Sequence, residues 1–318
     1  MLNGKTAIIL SPADDVHALT VAWEVERMGA TALILDTTGF PANWKIEMSS
    51  RAGGGTRFVL TTPDGRRICD DLVSGVWWRR PRPFGIPVEV TETNHRDFCA
   101  AESRMLLEGW GFSLGRRLVN PLAAELAARA KPYQLMMAER AGLKIPKTLI
   151  TNDPDAARHF VEGGGSHIYK AMTATRWQAT ETRQFQEGDV ENLCLLAAAP
   201  AIFQQRIDGQ PDVRVTVVDN QIFAAEIRTN HPGAKLDWRL DQAAEVRPHC
   251  LASDMEKALL NYQNTLGLRY GAYDLRLDDN GNYYFFEVNP SGQYLFVEIQ
   301  AELPISRAIA EALLNDQN

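Results

Sequence analysis

Three oxygen-bearing side chains near the carboxyl terminus have the types and spacing of a magnesium site. Asp274 lies in the run YDLRL, and Glu287 and Asn289 lie in the run YYFFEVN. The turn sequence DDNG separates the two runs, so they predict a β-hairpin. Residues two apart on a strand point to the same face, so Glu287 and Asn289 share a face that Asp274 can reach from the partner strand.

Two carboxylates and one amide, without histidine or cysteine, are typical of a site for a hard cation. Mg²⁺ usually takes one or two protein carboxylates and completes its coordination with water and substrate phosphates. The pattern therefore favours a nucleoside triphosphate as the ligand. The alternative is a solvated hairpin with ordinary surface charges. Against it, Glu287 lies among apolar residues, where a carboxylate needs a partner or a metal.

The same stretch carries a resemblance to a known family. The order D-x-R, hairpin, FFEVNPSGQY resembles the carboxyl-terminal magnesium motif of ATP-grasp ligases. The variant NPSGQYLFVE is similar to that of the graspetide synthetases, which make microviridin-type peptides. The ATP-grasp resemblance extends over about residues 119–318. It implies ATP and Mg²⁺ as cofactors, with Asp274, Glu287 and Asn289 as the metal ligands.

The resemblance also implies which residues bind the nucleotide. Lys131, in KPYQL, and Lys170, in SHIYK, match the two family lysines that contact phosphates. The strand that begins at Ala201 matches the hinge element whose backbone meets the adenine. The nucleotide-binding residues expected on this strand and just after it are Gln204, Gln205, Ile207 and Asp212.

Two features depart from the family pattern. A glutamate is usual near the position of Gln205. Many ATP-grasp proteins also have a glycine-rich flap after the second lysine, where this chain has residues 173–177 (TATRW) and 180–183 (TETR). This second departure leaves open how the γ-phosphate is covered.

Two arginines are predicted to act in phosphoryl transfer. Asp212–Val218 alternates polar and apolar residues, and Gln221–Arg228 returns as its hairpin partner after the turn Asp-Asn. We expect Arg214 and Arg228 to meet over one face of this hairpin, where they would neutralise the triphosphate and an acyl-phosphate. The alternative is a pair of exposed charges balanced by neighbouring acidic residues.

A cationic and aromatic run, WWRRPRP at residues 77–83, is the most unusual feature of the amino-terminal third. It is either a strand end with inward tryptophans and solvated arginines, or a recognition surface for carboxylates or phosphates. It resembles the amino-terminal domain of graspetide synthetases, as the loop TNHPGAKLDWR resembles their acceptor-peptide region. The substrate-binding residues expected from these two segments are Arg79, Arg80, His231, Asp237, Trp238 and Arg239. A lone histidine such as His231 is also explained as a loop hydrogen bonder.

Alternating strand and helix patterns predict an α/β protein, and the resemblance implies that its lobes form the ATP-grasp fold. A strand, helix and strand over Thr6–Leu35 form one right-handed parallel unit, and no G-x-G-x-x-G follows the first strand, which argues against a dinucleotide site. The expected lobes are a pre-ATP-grasp α/β domain at residues 1–118, a central lobe at 119–195 and a carboxyl-terminal lobe with the magnesium site at 196–318.

Composition narrows the functional class. A net charge of −7 argues against nonspecific nucleic-acid binding, and four scattered cysteines show neither metal nor disulfide spacing. The sequence contains no apolar run of membrane-spanning length, and no signal peptide is visible at its amino terminus. We therefore expect a cytoplasmic enzyme that binds neither nucleic acid nor membrane.

The resemblance implies an ADP-forming carboxylate ligase whose partner is a ribosomal precursor peptide with a leader and an acidic core. Such an enzyme phosphorylates Asp or Glu side chains of the peptide and joins them to Ser, Thr or Lys side chains as a macrocyclic ester or amide. The alternatives are an amino-acid or peptide-tailing ligase and a non-catalytic nucleotide-binding regulator. A homodimer is left open.

Overall fold

The computed structural model describes residues 4–50, 52–173, 182–234, 236–241 and 243–315. The strands are β1 (Thr6–Leu10), β2 (Thr31–Leu35), β3 (Lys45–Ser50), β4 (Thr56–Thr61), β5 (Arg67–Cys69), β6 (Val73–Trp77), β7 (Leu118–Val119), β8 (Thr148–Thr151), β9 (His167–Lys170), β10 (Arg183–Gln184), β11 (Ala201–Gln205), β12 (Asp212–Val218), β13 (Gln221–Arg228), β14 (Glu245–Pro248), β15 (Tyr270–Leu277) and β16 (Tyr283–Asn289). The helices are α1 (Val16–Arg27), α2 (Thr93–Leu114), α3 (Leu122–Arg129), α4 (Lys131–Arg140), α5 (Pro154–Glu162), α6 (Ser253–Leu266), α7 (Leu295–Ala301) and α8 (Ile305–Leu314).

The amino-terminal part contains a parallel sheet in the order β2-β1-β6-β7 and a small antiparallel sheet, β3-β4-β5. The apolar run of β1 is buried along its whole length, as expected for a strand covered on both faces. Helix α8, from the end of the described chain, packs against α1 and β6. A Cβ atom at Gly75 would lie 2.5 Å from the carbonyl oxygen of Leu313, so the absence of a side chain there permits this close packing.

The rest of the chain contains two antiparallel sheets. The four-stranded sheet has the order β10-β9-β11-β8, and the five-stranded sheet has the order β14-β13-β12-β15-β16. Val213, Val215 and Val217 of β12 pack on one face of the five-stranded sheet against α4 and α6. The other face of this sheet carries the polar residues of the predicted site.

The predicted elements are confirmed for most of the chain, including the unit β1-α1-β2 and both hairpins of the five-stranded sheet. Strands β3, β5, β10 and β14 and helix α7 were not predicted. Helix α7 was missed because its residues continue the apolar pattern of the preceding hairpin. The segment in which the sequence departs from the family's glycine-rich flap falls mainly on residues 174–181, which lie outside the described part of the chain.

Candidate active site

The three predicted metal ligands lie together on one face of the five-stranded sheet. Asp274 on β15 pairs with Glu287 on β16 and with Arg214 on β12, while Asn289 pairs with Ala272 two residues away. The Asn289 Nδ2 donates to Glu287 Oε1 at 2.9 Å and to Asp274 Oδ2 at 3.4 Å. The predicted hairpin therefore brings the two carboxylates and the amide together, and it adds Arg214, whose Nη1 lies 2.6 Å from Asp274 Oδ1.

A β-bulge interrupts the pairing of β15 and β16 next to this cluster. Asp274 pairs with Glu287 but Leu275 pairs with Phe285, so Phe286 has no partner directly opposite. The ring centroid of Phe286 lies 6.0 Å from Lys170 Nζ and 5.7 Å from the guanidinium carbon of Arg276. The bulge thus turns an aromatic ring towards the same face as the acidic residues.

Helix α4 brings a lysine to the cluster and docks on the edge strand β16. Lys131, at the first position of α4, places its Nζ 2.6 Å from Glu287 Oε2. One turn later, the buried Gln134 amide donates to Val288 O at 2.8 Å and accepts from Val288 N–H at 3.2 Å. The side chain of Gln134 thus makes with Val288, which lies between Glu287 and Asn289, the two backbone hydrogen bonds that a neighbouring strand would make. The sequence analysis did not single it out.

The charged side chains of the cluster shift one another's pKa values. Burial raises the pKa of Asp274 and the Glu287 charge adds to this, although Arg214 opposes both. Burial alone would also raise the pKa of Glu287, but Lys131 and Lys170 lower it to about 2. The pKa of Lys170 is lowered by burial and by the nearby Lys131 charge. The site is therefore a partly desolvated network in which cations stabilise the carboxylate of Glu287.

The donor set fits Mg²⁺ better than a transition metal. Within the described residues, no group of three His, Cys, Asp or Glu side chains is close enough to hold a metal ion. Two carboxylates and the Oδ1 of Asn289 would fill only part of an octahedron, which leaves positions for phosphate oxygens and water. The Asn289 amide now donates to both carboxylates, so rotation of this amide would present its oxygen to a shared cation.

The predicted nucleotide-binding residues have different environments. Gln204 is buried and donates from Nε2 to Thr148 Oγ1 at 2.9 Å, while the Gln205 side chain is exposed. Arg276 contacts the other two predicted residues, Ile207 and Asp212. It donates to Ile207 O at 3.2 Å and makes two hydrogen bonds of 2.8 Å each with the Asp212 carboxylate. Asp212, like Arg214, lies on the face that carries the metal cluster.

The structure corrects the expectation that Arg79 faces a peptide. The residues after β6 alternate, so Arg79 points inward and is only 1% exposed, whereas Arg80 is exposed. Arg79 Nη1 donates to Ser291 O at 2.5 Å and to Gly292 O at 3.4 Å, and its Nε lies 3.5 Å from Asp15 Oδ2. Arg79 therefore holds the loop that follows the metal cluster.

Two more residues from the amino-terminal part of the chain hold this loop, residues 290–294. The Asn120 amide donates to Pro290 O and to Tyr270 O, both at 2.9 Å. The buried His17 accepts from Tyr294 N–H at 3.4 Å, and its Nδ1 lies 3.2 Å from an oxygen of Asp15. Neither role was visible in the sequence, because the partners are more than 100 residues away.

The environment of His17 predicts a loss of stability in acid. Burial, with the Arg79 charge, lowers the pKa of His17 from 6.5 to about 4, against the opposing effect of Asp15. Above pH 6.5 both folded and unfolded chains carry neutral His17. As pH falls towards 4, the unfolded state takes up the proton first, so His17 should lower the free energy of unfolding by up to about 3 kcal/mol.

Urea unfolding between pH 7.5 and 4 would measure this loss. The pH-dependent part of the free energy of unfolding should shrink in His17→Gln. It should stay unchanged in His95→Gln, which alters an exposed histidine. An unchanged pH dependence in His17→Gln would contradict the assignment.

The expectation that Arg214 and Arg228 meet over one face is wrong. A two-residue turn joins β12 and β13, so Val218 pairs with Gln221 and Arg214 pairs with Ala225. Arg228 is three residues beyond this pair and therefore lies on the opposite face. There it contacts Glu226, with Nε 3.1 Å from Oε1, and its side chain is half exposed. This geometry gives no support for a catalytic role of Arg228.

The loop between β13 and β14 carries the remaining predicted substrate-binding residues. Arg239 forms a paired contact with Asp237, at 2.7 and 2.5 Å, and it acts electrostatically on Asp274 and Glu287. Trp238 is half-buried, with its ring centroid 5.1 Å from that of Phe296. Arg239 and Asp237 therefore lie near the cluster.

His231 has a local role in the same loop. Its side chain is exposed and its backbone N–H donates to Thr229 Oγ1 at 3.1 Å. This agrees with the interpretation of His231 as a loop residue.

Comparison with known proteins agrees with this geometry. Residues 6–125 match the model of the MvdD pre-ATP grasp domain, and residues 128–313 match that of the RimK-like ATP-grasp domain. No curated protein matches the chain.

Solved structures match over nearly the whole chain. Macrocyclase MdnC bound with precursor peptide MdnA, from Microcystis aeruginosa MRC, is 32% identical over 98% of this chain and 99% of its own, with a TM-score of 0.84. A RiPP-associated ATP-grasp ligase of Chryseobacterium gregarium, in complex with ADP and a leader and core peptide, is 26% identical over 97% of this chain and 96% of its own, with a TM-score of 0.87. The ATP-grasp ligase PsnB, complexed with minimal precursor, Mg and ADP, is 25% identical over 99% of this chain and 97% of its own, with a TM-score of 0.77.

Proposed function

Because this chain belongs to the RimK-like ATP-grasp family and carries an MvdD pre-ATP-grasp domain, we propose that it macrocyclises a ribosomal precursor peptide. The predicted fold is confirmed, and the chain is an ADP-forming ATP-grasp ligase that uses ATP and Mg²⁺. The observation that carries the proposal is the cluster of Arg214, Asp274, Glu287 and Asn289 with Lys131, on a chain that aligns from end to end with a macrocyclase.

The proposed reaction has two steps. A carboxylate oxygen of a peptide Asp or Glu attacks the γ-phosphorus of ATP, and ADP leaves. A hydroxyl or amine of the same peptide then attacks the acyl carbon, loses its proton, and expels inorganic phosphate. When bound, Mg²⁺ would offset charge on the phosphate oxygens.

The residues of this chain would position the reactants and balance their charge. Lys131 and Lys170 would hold phosphate oxygens, because both are close enough to stabilise the Glu287 carboxylate. Arg214 is fixed by Asp274 and by a 2.9 Å bond to Gln293 O, so its guanidinium is preorganised beside the site. Burial of this network would strengthen each of these interactions during transfer.

The peptide is proposed to approach over exposed cationic side chains. Arg80 is exposed next to the loop-holding Arg79, and Arg239 acts on the charges of the cluster. Both suit an acidic core, because guanidinium groups bind carboxylates in paired geometry. The leader would dock separately on the four-stranded sheet of the central lobe.

We also propose a cytoplasmic location. All four cysteines of the chain are free thiols, which fits a reducing compartment. Within the described residues, none of the helices has the length and apolar character needed to cross a membrane.

The intact mass of a precursor peptide would test the proposed function directly. A precursor peptide with an acidic core should lose one water mass per ring after incubation with the enzyme, ATP and Mg²⁺. Arg80→Gln should raise the KM for the peptide and leave the KM for ATP unchanged, because Arg80 lies outside the metal cluster. Arg27→Gln, at an exposed arginine of α1, is the matched control.

Other outcomes would replace the proposal. A mass gain of one amino acid would indicate a tailing ligase. Nucleotide binding without any turnover would indicate a regulator built on the same fold.

A further inference from the structure

The loop that follows the metal cluster, residues 290–294, is fixed by side chains from elsewhere in the chain. They donate hydrogen bonds to four consecutive backbone carbonyl oxygens, those of residues 290–293. Each of these side chains is buried, with an exposed fraction of at most 7%. In the order of the carbonyls that they bind, they are Asn120, Arg79, Tyr270 and Arg214. Because each carbonyl has a buried donor, the backbone of the loop is preorganised.

Gly292 brings this loop into direct contact with the five-stranded sheet. A Cβ atom at Gly292 would lie 2.5 Å from the Cβ atom of Ala272 and 2.9 Å from Nη2 of Arg214. A larger residue would therefore displace either the loop or the guanidinium. The absence of a side chain at this position lets the next residue, Gln293, lie beside Arg214, which donates to its carbonyl oxygen at 2.9 Å.

Gln293 is the one residue of the loop with an exposed side chain. Of the other four residues, three are buried, and the half-buried Ser291 donates its hydroxyl to Glu125 Oε1 at 3.0 Å. Within the described part of the chain, the side-chain amide of Gln293 has no hydrogen-bond partner. A rigid backbone that exposes one unpaired amide has the form of a contact for a ligand.

One guanidinium separates Gln293 from the metal cluster. Arg214 donates to Gln293 O and also, at 2.6 Å, to Asp274 Oδ1. On the other side of the loop, Arg79 binds the two carbonyls that precede Gln293. The residue after Arg79 is the exposed Arg80, the proposed contact for an acidic core. Gln293 is therefore close both to the reacting groups and to the proposed path of the peptide.

We propose that Gln293 is a substrate-contacting residue, whose side-chain amide forms paired hydrogen bonds with a backbone peptide group of the core next to the reacting side chain. The proposal rests on the proposed function. A glutamine amide carries both donors and an acceptor, which complement the carbonyl and N–H of a peptide group. Being neutral, it leaves the reacting carboxylate free for Lys131, Lys170 and Arg214.

Replacement of Gln293 by methionine tests this contact, because methionine has a similar size and lacks both the donor and the strong acceptor. The loss of two hydrogen bonds should lower kcat/KM for the precursor peptide about tenfold to a hundredfold. The KM for ATP and the affinity for MgADP should not change. Ring formation measured by intact mass over a range of peptide concentrations, and MgADP binding measured by calorimetry, give these values. Gln300→Met, at an exposed glutamine of α7, is the matched control and should behave as wild type.

Three outcomes would overturn the proposal, and each has its own signature. A value of kcat/KM for the peptide in Gln293→Met equal to that of wild type would show that the amide does not contact the peptide. A weaker affinity for MgADP in the same variant would show that the loop serves the metal site alone. The absence of ring formation by wild type would refute the proposed function itself, and with it the contact.

The altered side chains are exposed, so both variants should fold, and circular dichroism would verify it.

Discussion

Replacing Glu287 by glutamine is expected to lower the rate of ligation roughly a thousandfold, which corresponds to about 4 kcal/mol of transition-state stabilisation. Lys131 and Lys170 hold the pKa of Glu287 at about 2, so this carboxylate is fully charged at neutral pH. Glutamine removes that charge and one metal-binding oxygen, and its remaining oxygen can still accept a hydrogen bond from Lys131 or from Asn289, which contact different oxygens of Glu287. The protein should therefore remain folded while the proposed magnesium site loses its affinity.

The measurement is ADP formation with the precursor peptide as Mg²⁺ is titrated, together with calorimetric binding of MgADP. Glu226→Gln is the matched control, because Glu226 lies on the opposite face of the same sheet, where it contacts Arg228 and His249. Its rate should stay within about twofold of wild type. Wild-type turnover and Mg²⁺ dependence in Glu287→Gln would show that the metal site lies elsewhere.

Local patterns were sufficient to predict the centre of the site. A turn sequence between two apolar runs determines the hairpin, and strand alternation then determines which residues share its face. The same rule would have avoided the error over Arg228. With a two-residue turn at Asp219 and Asn220, the residue numbers of any two directly paired residues add up to the same odd value, and paired residues point to the same face. Arg214 and Arg228 have an even sum, so they cannot share a face.

The support of the site could not be predicted in this way. Arg79, His17 and Asn120 all act on residues 290–294 from positions more than 150 residues earlier, and no local pattern specifies such contacts. Arg79 shows the difficulty, because an arginine beside tryptophans and prolines suits either a surface or a buried carbonyl cluster. Only the packing of the amino-terminal sheet against the loop decides between them.

The other large effect is expected from Arg269, which joins three parts of the molecule. Its side chain is fully buried, and its Nε and Nη2 donate to the two oxygens of Asp219 at 2.8 and 2.7 Å. It also donates to Arg116 O at 2.7 Å and to Ala312 O, near the end of α8, at 2.8 Å. The five-stranded sheet, the segment after α2 and the last helix therefore meet at one guanidinium.

Arg269→Ala should lower the free energy of unfolding by about 3–5 kcal/mol, because it leaves a carboxylate and two carbonyls without their donor. Arg269→Lys should recover only part of this, since an ammonium group cannot make the paired contact with Asp219 and also reach both carbonyls. Arg307→Ala removes an exposed ion pair with Glu311 on α8 and should change stability by less than about 0.5 kcal/mol. Urea unfolding would measure the free energy of unfolding of the three variants and of the wild type. Equal losses at Arg269 and Arg307 would mean that α8 is held by its apolar face alone. A large loss at Arg269 only would mean that this guanidinium adds to the apolar packing of α8 in holding the three parts together.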